Sequence, residues 1–295
     1  MTNKESYRDN PLLKRIGVQI NYTEEELDEY LKCARDPIHF SKYIKIITLD
    51  EGVVPFKMYD YQEDMIRTFH NNRFVIIKCP RQVGKTTTAV AYLLWTILFQ
   101  DAQNIAILAN RGETARGILG KLQLAYENLP MWLQQGVVEW NKGRIELENG
   151  SVCIASSTSS SAARSGSFNI VFLDEFAFVP TNIAYDFFTS VYPVITAGTK
   201  TKILIVSTPN GMNLFYKIWM DAKAKKNSYV PFEIHWSQVP GRDQAWREET
   251  IRNTSERQFQ QEFECVDGDT LIEVYDKKTK QHHEVKIVDL YECLV

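Results

Sequence analysis

The feature that most limits how this chain folds is a repeated alternation between wholly apolar strand-like runs and helix-like segments. The strand-like runs are RFVIIK (73–78), NIAILAN (104–110), NIVFLDE (169–175) and TKILIVS (201–207), and helix-like segments follow at 86–100, at 113–129, after Pro180 and at 214–226. Strands that are apolar on both faces are typical of a mostly parallel sheet covered by helices on both sides. The sequence therefore predicts an α/β fold, with ligands bound at the carboxyl ends of the strands.

Local signals predict the remaining elements. Thr23 and Glu26 have the spacing of a capping box at the start of a helix that reaches Arg35. Asn149-Gly150 predicts the turn of a hairpin over 144–156. Further signals predict an outer strand over 229–236, a long helix from Asp243 to about Glu264, and short strands at TLIEV (270–274) and HHEVKIV (282–288).

Composition restricts the function classes only loosely. The 295 residues are 44% hydrophobic and 24% charged, enough for one large core or two domains. A net charge of −3 gives no general support for a nucleic-acid binder, although such a protein need not be basic overall. The start is polar, unlike a signal peptide, and the longest apolar run, Ala89–Phe99, is too short to span a bilayer. Five scattered cysteines predict a reducing compartment, with neither a disulfide framework nor a zinc site.

The segment CPRQVGKTTT (79–88) lies between a predicted strand and a predicted helix, which is the setting of a phosphate-binding loop. Backbone N–H groups of the turn and the helix start would cradle phosphates, Lys85 would reach the β- and γ-phosphates, and Thr86 would hold Mg²⁺. The usual first glycine, five residues before Gly84, is Cys79, so the strict pattern fails. The predicted nucleotide contacts are Pro80, Arg81, Gln82, Val83, Gly84, Lys85, Thr86 and Thr87.

A second motif, NIVFLDEF (169–176), ends a predicted strand in two adjacent carboxylates. Asp174 would bind Mg²⁺, directly or through water, and Glu175 would polarise the water that attacks the γ-phosphate. Taken alone, the pair is as well explained by an exposed strand end. Together with the loop it predicts hydrolysis of a nucleotide, with ATP and Mg²⁺ as the cofactors.

Two further segments supply candidate nucleotide contacts. The amide of Gln62 can pair with donor and acceptor edges of adenine, and Tyr61 can stack on the base. Taken alone, the segment is better explained by a helix-surface glutamine and a core tyrosine. Ser207 and Thr208 end a predicted strand, where they could sense the γ-phosphate. Alternatively, these hydroxyl residues form a helix cap before a Pro-Asn-Gly turn.

Two arginines are candidates for the finger that stabilises charge during phosphoryl transfer. Arg81 lies inside the loop, and Arg164 lies in the serine-rich segment ten residues before Asp174. Such an arginine can come from the same subunit or from a neighbour. The sequence leaves the choice between them open, and a plain surface charge remains the alternative for each.

The ordered set YQ (61–62), PRQVGKTT (80–87), RSGSFNIVFLDEFAF (164–178), STPNG (207–211) and RQFQQEFE (257–264) resembles the large terminase subunit of tailed bacteriophages, over about residues 55–264. The resemblance implies a P-loop NTPase fold of the RecA/ASCE type and an ATP-driven motor that packages double-stranded DNA into an empty capsid. In that family the first glycine is commonly missing, and an Arg-Gln pair stands before x-G-K-T, as Arg81-Gln82 do here. The resemblance also implies that Arg81 acts in cis, Arg164 acts across subunits, and Ser207-Thr208 couple hydrolysis to movement.

The phrase CVDGDTLI (265–272) interrupts the terminase pattern and resembles the first block of an intein. A cysteine in that block is a nucleophile, so Cys265 would attack the carbonyl of Glu264 and form a thioester. No Thr-x-x-His block or terminal Asn follows, so the tail resembles the short N-terminal half of an atypically split intein. A frameshifted or truncated terminase with a meaningless tail is the alternative.

These resemblances imply an N-terminal helical or lid segment (1–57), a terminase ATPase domain (58–264) and a β-rich split-intein fragment (265–295). The implied partners are viral DNA, portal protein, small terminase subunit, further copies in a ring, and a second chain carrying the other intein half and a nuclease, with no membrane. The implied location is the host cytoplasm during assembly, not the mature virion. Two alternatives remain: a helicase-like DNA-dependent ATPase, and a non-enzymatic scaffold that binds nucleotide or DNA.

Overall fold

The computed structural model describes residues 5–48, 50–159, 166–196, 198–264, 271–276, 280–286 and 289. In these ranges the strands are β1 (Ser6–Tyr7), β2 (Asn10–Lys14), β3 (Lys45–Thr48), β4 (Gly52–Pro55), β5 (Phe74–Lys78), β6 (Asn104–Ala109), β7 (Val137–Trp140), β8 (Arg144–Leu147), β9 (Val152–Ser157), β10 (Ile170–Asp174), β11 (Lys202–Ser207), β12 (Val230–Glu233), β13 (Leu271–Asp276) and β14 (Gln281–Lys286).

The α-helices in the same ranges are α1 (Glu24–Arg35), α2 (Pro37–Phe40), α3 (Asp60–Asn71), α4 (Lys85–Phe99), α5 (Gly112–Glu127), α6 (Thr181–Thr196), α7 (Leu214–Lys223), α8 (Gln244–Asn253) and α9 (Glu256–Phe259). A 3₁₀ turn covers Phe176–Phe178, and a π-helix covers Gln260–Glu264.

An eight-stranded sheet forms the centre, in the order β12-β5-β11-β10-β6-β9-β8-β7. All neighbours from β12 to β9 run parallel, whereas β8 and β7 add an antiparallel edge. The predicted mostly parallel sheet is therefore confirmed. The outer strand is also confirmed, since β12 lies at one edge of the sheet. The Asn149-Gly150 turn joins antiparallel β8 and β9 as expected, with Gly150 at φ +78°.

The central strands are buried on both faces because helices cover both sides of the sheet. In β5, Val75 and Ile77 face a core that contains residues of α4 and α5. Ile76, between them, faces a second core that contains residues of α6 and α7. This alternation is the period-two geometry of a strand. It explains why the apolar run has no polar face, and it confirms the predicted two-sided covering.

The segment before β5 holds both expected and unexpected elements. Thr23 and Glu26 form the predicted capping box, with each side chain accepting from the other residue's backbone N–H, and α1 follows it. The sequence did not predict the hairpins β1–β2 and β3–β4. These strands have two to five residues, too few to show a period.

The predicted long helix from Asp243 to Glu264 is wrong in its length. Asp243 does cap α8, since its side chain accepts from the N–H of Trp246. The helix ends at Asn253 because Thr254 leaves helical geometry, at φ −128° and ψ −93°. Ser255 then caps α9 through the N–H of Gln258, and the chain continues as the π-helix. The expected strands after Cys265 are confirmed, as β13 and β14 pair in an antiparallel hairpin.

Candidate functional site

The predicted site residues meet at one edge of the sheet because three neighbouring parallel strands end there. In the register, Asp174 of β10 lies beside Val206 of β11, and Ser207 lies beside Lys78 of β5. The phosphate-binding loop begins directly after Lys78, and Glu175 directly follows Asp174. Strand geometry alone thus brings the loop, the two carboxylates and the Ser207-Thr208 segment together.

Two residues with positive φ shape the loop. Gln82 has φ +59°, and Gly84 has φ +72° as the N-cap of α4. A Cβ atom at Gly84 would also collide with Nε2 of Gln62, so the position requires glycine for two reasons. Cys79, which replaces the usual first glycine, has no positive φ. It is fully buried, and its N–H donates to the carbonyl of Ser207 at 3.2 Å.

Lys85 and Glu175 form the first of two pairs across the site. Lys85 is the first residue of α4 and only 8% exposed, and its Nζ donates to Oε1 of Glu175 at 2.6 Å. Glu175 has φ +51°, an uncommon conformation for a residue with a Cβ atom. Strain of this kind is concentrated at functional sites. The left-handed backbone turns the chain from β10 into the 3₁₀ turn and leaves Glu175 opposite the loop lysine.

Thr86 and Asp174 form the second pair. The Thr86 hydroxyl donates to Oδ2 of Asp174 at 3.0 Å. The other carboxylate oxygen, Oδ1, is buried and has no hydrogen-bond partner in the described structure. Burial raises the pKa of the Asp174 carboxyl to about 6, although the charge of Lys85 opposes the shift. An unpartnered carboxylate oxygen beside a hydroxyl fits a hard cation such as Mg²⁺, which prefers oxygen ligands.

Ser207 and Thr208 join the loop to the carboxylates. The buried Ser207 hydroxyl accepts from the N–H of Ala177 at 3.1 Å and donates to the carbonyl of Thr208 at 2.8 Å. The N–H of Thr208 donates to Oε2 of Glu175 at 3.4 Å. The Thr208 hydroxyl is buried without a recorded partner in the described residues. Movement of the Glu175 side chain would therefore change a hydrogen bond to the backbone of Thr208.

Tyr61 and Gln62, the candidate adenine contacts, both support the loop. The Tyr61 hydroxyl and the Gln62 amide both donate to the carbonyl of Val83, at 3.1 and 3.2 Å. The amide oxygen of Gln62 accepts from the N–H of Tyr59. The side chains are 4% exposed each. Their contacts thus position the loop backbone, and adenine recognition stays a prediction.

Of the two candidate arginine fingers, the structure places only Arg81. Its guanidinium forms an ion pair with Glu262, and its N–H donates to the carbonyl of Glu262 at 3.1 Å. Arg164 lies outside the described residues, as does Cys265. Sequence reasoning missed Glu262 and also Arg242, which donates to the carbonyls of Arg81 and Gln82 at 3.2 and 3.1 Å.

A group with metal-ligand chemistry lies elsewhere, between α1 and α2. The ligand atoms of Glu29, Cys33 and His39 all lie within 4.8 Å of one another. These groups already have partners: Glu29 contacts Nε2 of His39 at 2.6 Å and Nζ of Lys32 at 3.6 Å, and Nζ of Lys42 is 3.2 Å from Nδ1 of His39. Burial raises the pKa of the Cys33 thiol to about 12. We therefore interpret the group as an ion-pair network that holds the two helices together.

The fold and the site define this chain as a protein of the P-loop NTPase fold. In the residues described here, no helix combines the length and the apolar character that crossing a bilayer requires. The chain belongs to the family described as terminase large subunit, T4likevirus-type, N-terminal, which it matches over residues 76–278.

Solved structures of phage terminases share the fold. The Thermus phage P74-26 large terminase ATPase domain is 20% identical, with a TM-score of 0.58, over 71% of this chain and 94% of that one. The bacteriophage HK97 large terminase is 17% identical, with a TM-score of 0.67, over 83% of this chain and 57% of that one. A large terminase from a thermophilic bacteriophage, solved with ADP, is 15% identical with a TM-score of 0.56, over 74% and 55%. The chain thus spans little more than half of the chains in those last two structures.

Proposed function

We propose that this chain is the ATPase part of a DNA-packaging terminase, which hydrolyses ATP to move double-stranded viral DNA into a procapsid. The observation that carries the proposal is the pairing of Lys85 with Glu175 and of Thr86 with Asp174 at the carboxyl edge of the sheet. Membership of the terminase family supports the packaging role. The ADP complex of the fold relative supports nucleotide as the ligand.

Nucleotide binding would exchange partners within the site. Backbone N–H groups of the loop and the N-terminus of α4 offer donors to phosphate oxygens. Lys85 would leave Glu175 for the β- and γ-phosphates. Glu175, freed from the lysine, would then accept a proton from a water molecule and orient it, as a general base does. The Lys85–Glu175 contact therefore represents the resting state of the site.

Thr86 and Asp174 would hold Mg²⁺, through the threonine hydroxyl and the unpartnered Oδ1. Bound there, the ion would neutralise phosphate charge. The N–H of Thr208 contacts Glu175, so a change in the position of Glu175 would move the backbone of Thr208. This contact supports a coupling role for Ser207-Thr208. Tyr61 and Gln62 contact the loop directly through the carbonyl of Val83, which supports a place for the base beside them. The choice of finger between Arg81 and Arg164 stays open.

The motor function implies the partners of the family: double-stranded viral DNA, portal protein, small terminase subunit and copies of this chain in a ring. Assembly would take place in the host cytoplasm. A helicase-like ATPase is the competing function, and it differs in what happens to the DNA. A packaging motor moves intact duplex, whereas a helicase separates its strands.

Phosphate release by the 295-residue chain tests this proposal. We expect Mg²⁺-dependent ATP turnover that rises when blunt double-stranded DNA is added, with no separation of a labelled duplex. Lys85→Ala, which removes the proposed phosphate contact, is the control: any ATP turnover that it retains comes from a contaminating enzyme. Strand separation would instead identify a helicase-like enzyme, and nucleotide binding without turnover would identify a scaffold.

We further propose that the ATPase domain ends at Glu264 and that residues 265–295 are the N-terminal part of a split intein. The family match runs 14 residues past Glu264 (278 − 264), so it marks no boundary at Cys265. In the proposed step, Sγ of Cys265 attacks the carbonyl carbon of Glu264. The C–N bond breaks, the thiol proton ends on the released amine, and a thioester forms. A second chain would then accept the acyl group and supply the nuclease.

Peptide mass spectrometry of the terminase from infected cells tests the splicing proposal. Trypsin cleaves after Arg257, so the peptide of interest starts at Gln258 in either case. We expect QFQQEFE joined to sequence that this chain lacks, and loss of the joined peptide in Cys265→Ala. A peptide that reads QFQQEFECVDGDTLIEVYDK, with no joined product, would refute splicing but leave the ATPase proposal intact.

A further inference from the structure

The end of α7 carries exposed lysines that the candidate nucleotide site does not use. Between positions 214 and 230 the sequence has four lysines and one aspartate, whereas the whole chain has a net charge of −3. Lys223, Lys225 and Lys226 lie at the carboxyl end of the helix or directly after it, and all three are exposed. In the described part of the chain, neither Lys225 nor Lys226 has a carboxylate partner. Their positive charges are therefore available to a binding partner.

The backbone of the turn after α7 makes Lys225 an unusual residue for its position. Its φ is +56°, and its N–H donates to the carbonyl of Ala222 at 3.0 Å. The N–H of Lys226 donates to the carbonyl of Asp221 at 2.7 Å. This pair of bonds is a common way of ending a helix, and glycine usually takes the left-handed position because it has no Cβ atom. A cation near the carboxyl end stabilises a helix, which explains Lys223 but not a lysine where glycine fits best.

A further exposed lysine lies at the same edge of the sheet. Strands β12, β5 and β11 are parallel neighbours, so their amino ends share the edge opposite the nucleotide site. Lys225 and Lys226 precede β12, and the exposed Lys200 precedes β11. Two strand spacings place the starts of β12 and β11 about 10 Å apart. We call the group Lys200, Lys223, Lys225 and Lys226 the basic edge.

The other end of α7 is tied to the nucleotide site. Asn213 caps the helix, since its side-chain oxygen accepts from the N–H of Tyr216 at 3.3 Å. The Asn213 amide also donates to the carbonyl of Ala177 at 2.7 Å. Ala177 lies in the 3₁₀ turn that follows Glu175, and its N–H donates to the Ser207 hydroxyl. A helix of ten residues is about 15 Å long, so α7 connects this turn to the basic edge.

The chemistry of the basic edge suits phosphate better than protein. Lysine is depleted at protein–protein interfaces relative to the rest of the surface. It binds phosphate as a point charge, and phosphate contacts hold a duplex without reading its sequence. A motor that moves viral DNA past one site meets every sequence in the genome, so it requires contacts of this kind.

We propose that the basic edge contacts the phosphates of double-stranded DNA, at the end of the helix whose start is tied to Ala177. This inference rests on the proposed function, to which it adds a surface that holds the DNA. A change at Glu175 that moves the 3₁₀ turn would move the cap of α7, and the phosphates bound at its other end would move with the helix.

The salt dependence of duplex binding by the 295-residue chain tests this surface, with a non-hydrolysable ATP analogue present. Lys225→Gly should weaken binding of a labelled blunt duplex and lower the slope of log affinity against log salt by about one, the value for one lost phosphate contact. Adding Lys226→Gln should lower the slope by about two in total. Because glycine suits the backbone at position 225, Lys225→Gly should keep the urea midpoint of the wild type.

Lys32→Gln is the matched control, because it removes the same charge from α1, where Lys32 pairs with Asp28 at 2.7 Å. It should leave the salt slope unchanged. Chemical acetylation of the wild-type chain gives an independent readout. Bound duplex should protect Lys225 and Lys226 from the reagent and leave Lys32 reactive.

Three outcomes would contradict the proposed surface. Equal salt slopes for the wild type and Lys225→Gly, or equal acetylation of Lys225 with and without bound duplex, would overturn this inference alone. Variants that change self-association but not DNA affinity would identify a surface for a second copy of the chain, and would also overturn it. A wild-type chain that binds no duplex would overturn the DNA partner of the proposed function as well.

Discussion

Replacing Glu175 by glutamine is expected to slow ATP turnover by about two to four orders of magnitude, the usual contribution of a general base. Glutamine keeps the length of the side chain and one acceptor oxygen, but it replaces the other oxygen by an NH2 donor and cannot accept a proton. Nucleotide binding should stay equal or become tighter. In the resting structure Lys85 donates to Glu175 at 2.6 Å, and the phosphates must displace that contact. A neutral amide holds the lysine less firmly, so the displacement costs less free energy.

Glu233→Gln is the matched control for this experiment. Glu233 also pairs with a buried lysine, since its Oε1 lies 2.7 Å from Nζ of Lys78 at the end of the neighbouring strand. The control removes the same charge from the same sheet edge without touching a proposed catalytic group, so turnover should persist. Stopped turnover in Glu175→Gln with unchanged ATP affinity would support the general-base role. Equal turnover in the wild type and Glu175→Gln would refute it.

The meeting of Lys85, Thr86, Asp174 and Glu175 was predictable because it depends on one rule. Parallel strands end at a common edge, so motifs that follow β5 and β10 must converge once those strands are identified as members of one sheet. The strands were identifiable because burial on both faces makes them uniformly apolar. Neither step requires knowledge of side-chain packing.

The contacts of Arg242 and Glu262 with the loop could not be predicted in this way. They join positions about 160 to 180 residues apart, through a segment that follows the edge strand β12 and has no strand of its own in the sheet. The predicted single helix to Glu264 would have aimed these side chains differently. The break at Thr254 and the π-helix after Phe259 decide where Glu262 lies, and neither follows from a helical period.

The buried carboxylate of Asp174 is expected to lower the stability of the nucleotide-free protein. Burial raises the pKa of its carboxyl from 3.8 to about 6, so the folded state favours the protonated form. The wild-type protein therefore loses stability as the pH rises from about 4 to about 6, and it carries the full cost of the buried charge at pH 7. This rise in the pKa of the Asp174 carboxyl corresponds to a loss of up to about 3 kcal/mol in the free energy of unfolding.

Asp174→Asn should therefore raise the free energy of unfolding of the nucleotide-free protein at pH 7 by up to about 3 kcal/mol, while abolishing Mg²⁺-dependent turnover. The amide keeps an oxygen for the Thr86 hydroxyl but carries no charge for the cation. Urea unfolding at several pH values measures the gain. It should shrink as the pH falls and disappear below about pH 3, where the wild-type carboxyl is protonated in both states.

The exposed carboxylate of Asp28, which pairs with Lys32 at 2.7 Å, supplies the control for this substitution. Asp28→Asn should change stability by no more than about 0.5 kcal/mol at either pH. A destabilised Asp174→Asn protein at pH 7 would mean that the carboxylate stabilises the empty site, contrary to its burial and its unpartnered oxygen. A gain that grows with pH would instead show that the fold holds Asp174 at a cost in stability, which a bound cation would offset.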